Sequence, residues 1–329
     1  MRKYLKWLLP NSFYGYLKRC KYQKEIDIET EYQNKKLLHY SSTFSDDKDA
    51  AMAALMVVSH VLEKGITMPN RRLGFGYERV RDILTRCKGL INKYGYESIE
   101  LQSALADLKQ YYDVHKEANF ELPVDIKKEI EELLQYLRLT GDNCWNTTKE
   151  EYFKRTSNFA EFAASRHSVR WFSDEPVDEE KLMAAIKLAQ TAPSACNRQA
   201  TRLKIISSPE GKKLCCELQN GNRGFGDKAD KWLLITSDLK AWAHNYPHAP
   251  YVDGGIYAMN LLYALHYYGI VACTLNAHLT IEQRTKIQEF VGYPESEVPV
   301  VFIVIGNPAD KFMVPKSRRL NIDDIIQKA

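Results

Sequence analysis

The chain has 329 residues, 45% of them apolar, and a formal net charge of +4. That length and apolar content suit one large domain or two ordinary ones with real cores. So small a net charge argues against nucleic acid as a partner, and no stretch approaches the roughly 18 consecutive apolar residues of a membrane-spanning helix.

The charge is uneven along the chain. Residues 1–25 hold Arg2, Lys3, Lys6, Lys18, Arg19, Lys21 and Lys24 against Glu25, interleaved with Tyr4, Trp7, Phe13, Tyr14, Tyr16 and Tyr22. Trp7-Leu8-Leu9 is too short for the core of a signal peptide, and no small-residue cleavage site follows. A basic aromatic head of this kind either makes peripheral contact with an anionic membrane surface or forms an arm that is solvated or packs on its own domain. The seven cysteines are odd in number and contain no CxxC. That usage suggests a reduced, cytoplasmic protein without a zinc site, and no metal is expected.

From residue 29 to about 150 the pattern is helical. Ser45-Asp46-Asp47 can cap a helix over Ala50–Leu62, which Gly65 and Pro69 would stop. Tyr77, Val80, Ile83, Leu84, Cys87, Leu90 and Ile91 recur at helical spacing up to Gly95. Ser98 opens a third helix with Leu101, Leu105, Leu108 and Tyr112 on one stripe. Pro123 opens a fourth with Ile126, Ile130, Leu133, Leu134 and Leu137, closed by Gly141-Asp142-Asn143. After residue 155 short apolar runs at Leu203–Ile206, Trp232–Thr236, Val271–Leu275 and Val300–Ile305 read as buried strands. They alternate with helical stretches at Glu179–Gln190, Pro209–Leu218, Tyr251–Tyr268 and Ile281–Val291. The organisation read from the sequence is a head (1–28), a helical region (29–150) and a layered α/β or α+β domain (151–329).

Three polar clusters fall in that last region. They are Arg166-His167-Ser168-Val169-Arg170, Pro193-Ser194-Ala-Cys-Asn197-Arg-Gln199, and Pro315-Lys316-Ser317-Arg318. Arg supplies a planar fork for phosphate, Lys a point charge, and side-chain amides can meet a heterocycle edge that both donates and accepts. Two arginines four apart share a face if the preceding helix continues through them. Taken singly, each cluster is also what an exposed Arg pair or a capped turn looks like. Gly221-x-x-Gly224-x-Gly226 lacks the order of the dinucleotide fingerprint and reads as a flexible lid or a turn. Pro247 and Pro250 oppose a helix bringing His244 and His248 together on a metal. The loop with Trp242, His244, Tyr246 and Tyr251 either lines a substrate pocket or simply packs.

In combination and order, the three clusters resemble the FMN-dependent nitroreductase family. Tyr251-Val-Asp253-Gly254-Gly255 and Gly269-Ile-Val-Ala-Cys273 also fall in family order, and the resemblance covers residues 157–325. It implies an α+β, three-layer fold with a central, mostly antiparallel sheet flanked by helices, preceded here by an all-α region. It implies that Arg166 and Ser168, with Lys316 and Arg318, hold the FMN phosphate and ribityl chain. Arg170 would sit at the flavin N1/O2 edge and tune the ring, the one catalytic role assigned to a side chain. Pro193, Ser194, Asn197 and Gln199 would approach the flavin, Ser194 and Asn197 from the other subunit of a homodimer. Backbone N–H groups at Thr274-Leu275 would face N5, and His167 would contribute mainly backbone.

The implied activity is hydride transfer through FMN from NAD(P)H to a small-molecule acceptor, in ping-pong fashion. Two departures stand out. The family's Asn and Lys pair has no clear counterpart, although Asn222 or Arg223 could serve, and the acidic residue near N5 is missing. The segments His60–Gly65 and Asn70-Arg71-Arg72-Leu73-Gly74-Phe75-Gly76 resemble those of nitroreductase-like proteins linked to surface-polysaccharide biosynthesis. They would be an interhelical turn, or a place where Arg71 or Arg72 meets an anionic sugar or nucleotide. Rival readings are a flavin dehydrogenase or oxidase of a biosynthetic intermediate, and a non-catalytic membrane-associated scaffold for glycan assembly.

Overall fold

The computed structural model describes residues 10–40, 47–153, 157–242 and 247–327. The first nine residues of the basic head, and Ser45, Asp46, His244 and Tyr246, lie outside the described residues. The first element is a 30-residue helix, α1 (Asn11–Tyr40), whose Phe13, Tyr16, Leu17 and Ile28 are exposed. Among the described residues no helix is long and apolar enough to cross a membrane.

Four helices then build one core: α2 (Lys48–Ile66), α3 (Tyr77–Tyr94), α4 (Ile99–Glu117) and α5 (Val124–Leu134). Two of them, α2 and α4, start on a side-chain cap. The Asp47 carboxylate accepts from the Ala50 N–H, and the Ser98 hydroxyl accepts from the Leu101 N–H. The stripes Leu55/Leu62/Ile66, Val80/Ile83/Leu84/Cys87, Leu101/Leu105/Leu108 and Ile126/Ile130/Leu133 meet in that core.

Gly65 does not stop α2, contrary to the sequence expectation. The helix runs through it to Ile66, and a Cβ at Gly65 would stand 2.2 Å from Cε2 of Phe75. The missing side chain leaves room for an aromatic ring rather than breaking the helix.

A strand unforeseen in the sequence follows. β1 (Cys144–Thr148) pairs antiparallel with β6 (Lys311–Pro315), near the far end of the chain, in the register Cys144 to Pro315. Cys144 belongs to the helical core, and Met313 packs against it. Short helices α6 (Lys149–Tyr152) and α7 (Phe159–Ser165) lead into the sheet region.

That region is α+β. Strands β2 (Thr201–Ile206), β3 (Lys231–Asp238), β4 (Val271–Asn276) and β5 (Glu297–Gly306) form one antiparallel sheet in the order β2-β3-β5-β4. Two-residue alternation splits its side chains between two cores. Trp232, Leu234, Phe302, Val304, Cys273 and Leu275 face α9 (Pro209–Leu218), α11 (Ile281–Val291) and β6. Leu233, Ile235, Ile303, Ile305 and Ala272 face α8 (Glu179–Ala189) and α10 (Ala249–Tyr267). The result is three layers with the sheet in the middle. A last helical turn, α12, spans Ile322–Ile325.

Candidate functional site

The first cluster begins where α7 ends. Arg166 is the C-cap, with extended φ −75° and ψ 122°, so the helix does not carry Arg166 and Arg170 round to one face. The segment is instead laid along the edge strand β4, with the Val169 N–H donating to the Ala272 carbonyl at 3.0 Å. Tyr152 fixes the backbone at His167. Its hydroxyl accepts from the His167 N–H and donates to the His167 carbonyl, both at 2.9 Å. The His167 ring stands edge-on to Trp145, and burial holds its pKa below the ordinary imidazole value. Val169 is fully buried, and Arg170 is 6% exposed.

The third cluster follows β6. The Lys316 N–H donates to the Asn143 carbonyl at 2.7 Å, and Arg318 Nε donates to Asn143 Oδ1 at 2.6 Å. Between them Ser317 adopts φ +45°, a conformation that L-residues other than Asn and Asp seldom take. Arg166, His167, Ser168, Lys316, Ser317, Arg318 and Arg319 line one cavity of about 660 Å³. The first and third clusters are therefore brought together, and β4 places Thr274 and Leu275 two and three residues along from the Ala272 contact.

The second cluster lies elsewhere. Pro193, Ser194 and Gln199 line a separate cavity of about 350 Å³ with Arg202, Asp253 and Tyr257, and the two cavities share no lining residue. Ser194 Oγ accepts from the Gln199 N–H at 3.0 Å, and Asp253 Oδ2 accepts from the Ala195 N–H at 3.0 Å. Asn197 sits in the short 3-10 turn Ala195–Asn197.

Of the two residues that could stand in for the family's Asn and Lys pair, one is packed inward and the other faces solvent. Asn222 is buried, and its amide donates to the carbonyls of Cys216 and Gln219. Arg223 is exposed. The surrounding segment is a packed turn, with Phe225 fully buried and the Trp232 indole N–H bonded to the Gly226 carbonyl at 3.1 Å. Nor does Arg71 reach outward for a ligand, since its Nη1 donates to the Ile66 carbonyl at 2.9 Å.

The helical region supplies groups that the sequence did not assign to the site. Lys64 of α2 donates to the Gly221 carbonyl at 2.7 Å and stands 5.1 Å from the centre of the Phe225 ring. The Arg170 guanidinium lies 5.7 Å from the same ring. Burial first, then the positive charge of Arg170, holds the Lys64 pKa below the usual lysine value. Arg319 lines the large cavity and donates to the Ser317 carbonyl. A basic residue beside Arg318 was visible in the sequence, whereas the roles of Asn143 and Tyr152 depend on long-range contacts that no local pattern announces.

The test of whether a flavin nucleotide fits is the state of the cations. Among the described residues, Arg166 Nε, Arg170 Nε and Nη1, and Arg318 Nη2 are shut off from solvent without a hydrogen-bond partner. Buried guanidinium donors left unpaired are costly. A phosphate and an acceptor-bearing ring edge are the kinds of group that would satisfy them, so the residues present fit FMN.

Residues 163–219 match the nitroreductase family. The iodotyrosine deiodinase of Haliscomenobacter hydrossis is 26% identical over 202 residues, covering 52% of this chain and 88% of that protein. Human iodotyrosine deiodinase 1 is 24% identical over 248 residues, covering 67% and 83%. A Streptomyces griseus protein named "Putative NADH dehydrogenase/NAD(P)H nitroreductase" is 28% identical over 173 residues, covering 47% and 87%. Among solved structures, a Clostridium difficile nitroreductase family protein aligns with a TM-score of 0.44 at 22% identity, covering 52% of this chain and 98% of that one. A "putative nitroreductase in complex with FMN" from Exiguobacterium sibiricum aligns with a TM-score of 0.46 at 20% identity, covering 53% and 98%. None of these proteins is named for work on polysaccharides.

Proposed function

We propose that this nitroreductase-family domain is an FMN-dependent oxidoreductase that draws electrons from NAD(P)H and passes them to a small-molecule acceptor. The observation that carries the reading is the set of buried, unpartnered guanidinium nitrogens on Arg166 and Arg318, which line one cation-rich cavity, and on Arg170, two residues beyond its lining residue Ser168. Hydride transfer is the chemistry that FMN supplies when bound. This chain's own part is binding and tuning. Arg166, Ser168, Lys316 and Arg318 hold the phosphate end, and Arg170, nearly buried, stabilises negative charge at the ring's acceptor edge. The backbone of Thr274 and Leu275 borders the reactive face.

The reading also takes the working unit to be a homodimer. Ser194 and Gln199 line a cavity separate from the arginine cavity of their own chain, and a partner subunit would bring this segment, Asn197 included, to it. The relative named as an NAD(P)H nitroreductase supports the donor.

The deiodinase relatives favour a second reading, in which the same site removes iodide reductively from an iodotyrosine. One preparation tests both. The purified protein is expected to be yellow or to gain flavin absorption when FMN is added, and to lose it when NADH or NADPH is added without air. A protein that stays colourless with FMN overturns both readings. Flavin that neither nucleotide reduces, yet whose dithionite-reduced form releases iodide from iodotyrosine, moves the assignment to the deiodinase.

A further inference from the structure

The segment around Glu63 has no place in the function described so far. Glu63 is on α2, the first helix of the four-helix core, and only 6% exposed. Its carboxylate accepts twice from one residue of the basic tail, from the Ser317 N–H at 2.7 Å and from the Ser317 hydroxyl at 3.2 Å. His60 Nδ1 lies 3.0 Å from the same carboxylate. Burial pushes the Glu63 pKa up, but the bonds from His60 and Ser317 outweigh it and leave the carboxyl below its ordinary value, hence ionised.

Ser317 lies between Lys316 and Arg318, the two cations that line the large cavity, and holds φ +45°. A conformation of that kind persists where its surroundings over-determine it. Here the surroundings are Glu63 on one side and Asn143 on the other, whose carbonyl groups accept from Lys316 N–H and Arg318 Nε.

We infer that Glu63 is a positioning residue that holds the Lys316–Arg318 strip in its phosphate-binding shape through Ser317, so that phosphate recognition is shared between the helical region and the sheet domain. The inference rests on the flavin reading and adds a function for the helical region. Charge alone makes the opposite forecast. A carboxylate behind an anion site repels the anion, so deleting it would tighten binding through space. A loss of affinity on deleting Glu63 therefore reports positioning.

Riboflavin, which is FMN without its phosphate, isolates the effect. The experiment titrates full-length wild type, Glu63→Ala and Glu63→Gln with FMN and with riboflavin, and follows folding by circular dichroism. The wild type is expected to bind FMN more tightly than riboflavin. In Glu63→Ala the FMN Kd is expected to rise roughly tenfold, the riboflavin Kd staying within about twofold. Glu63→Gln keeps one oxygen for the Ser317 N–H and is expected to fall between the two.

An FMN Kd that is unchanged or lower in folded Glu63→Ala overturns the inference, as does an equal loss for both ligands. If Glu63→Ala does not fold, the FMN-to-riboflavin ratio of Glu63→Gln decides by the same rule. A wild type that binds neither flavin overturns the cofactor reading and this inference with it.

Discussion

The large cavity is lined by one region and backed by another, with opposite buried charge. The sheet domain contributes cations: Arg166, Lys316 and Arg318 on the lining and Arg170 just beyond it, with buried nitrogens on the three named arginines that lack a partner among the described residues. The helical region contributes buried carboxyls behind them, Glu63 and Asp107. Glu63 bonds Ser317, while Asp107 reaches the tail through Asn143, whose amide donates to Asp107 at 2.7 Å and whose oxygen accepts from Arg318. Buried polar groups on one side are thus spent on protein partners, and those on the other are left for a ligand. A protein interior tolerates unpaired donors poorly, so the cationic wall marks the binding face and the acidic wall its support.

The comparison breaks most visibly at the cationic wall. Arg318→Ala removes the unpartnered Nη2 and the bond to Asn143 together. Charge-assisted hydrogen bonds are worth about 1.5–3 kcal/mol, so FMN affinity is expected to fall by roughly 10- to 100-fold, measured by flavin titration. An Arg318→Ala protein that binds FMN like the wild type would remove this wall from the site.

A smaller effect is expected from the support side. Gly65→Ala places a methyl 2.2 Å from Phe75 in the turn of helix just after Glu63 and Lys64. Overpacking of this kind costs ~1–3 kcal/mol, against which the gain in helix propensity offsets at most about 1 kcal/mol. Urea denaturation should show a net loss of stability, and Phe75→Leu added to Gly65→Ala should recover much of it. A stabilised Gly65→Ala would mean that the Phe75 ring has somewhere else to go.

These two walls were not equally legible in the sequence. The strands, the helices and the basic clusters announce themselves through local spacing, because burial on a sheet repeats every second residue and caps sit next to the helices they start. Pro209–Leu218 and Ile281–Val291 are helices with the very bounds that periodicity gives. The β1–β6 pair was invisible for the opposite reason. Cys144-Trp-Asn-Thr-Thr148 carries a mixed burial pattern, and its partner is far along the chain. Missing that pair hid the acidic wall as well, since it is the pairing that brings Asn143 beside Lys316 and Arg318. The sequence drew attention to Glu63 and Lys64 but could supply no role, because the residues they touch, Ser317 and Gly221, are far from them in sequence.

The least expected property of the acidic wall is its response to pH. Asp107 is pushed up to about 7, by burial first, against the Asn143 bond, with the negative charge of Glu63 raising it further and Ser59 and Arg318 lowering it. The buried thiols of Cys87 and Cys144 face it too, and their own pKa values are raised, so they stay neutral through this range. The folded protein therefore keeps a proton on Asp107 between about pH 4 and 7, where the unfolded chain has released it. Stability falls wherever the native state binds more protons, so this carboxyl's contribution declines as pH rises through that window and stays level above it. Asp107→Asn keeps the shape and can still bond Asn143 and Ser59, but it has nothing to titrate. Its stability relative to wild type should rise by ~1–3 kcal/mol between pH 5 and pH 8, read from urea midpoints at both pH values. If the two proteins differ by the same amount at both, Asp107 is already ionised at pH 5 and its charge is one that Asn143 and Arg318 have fully accommodated.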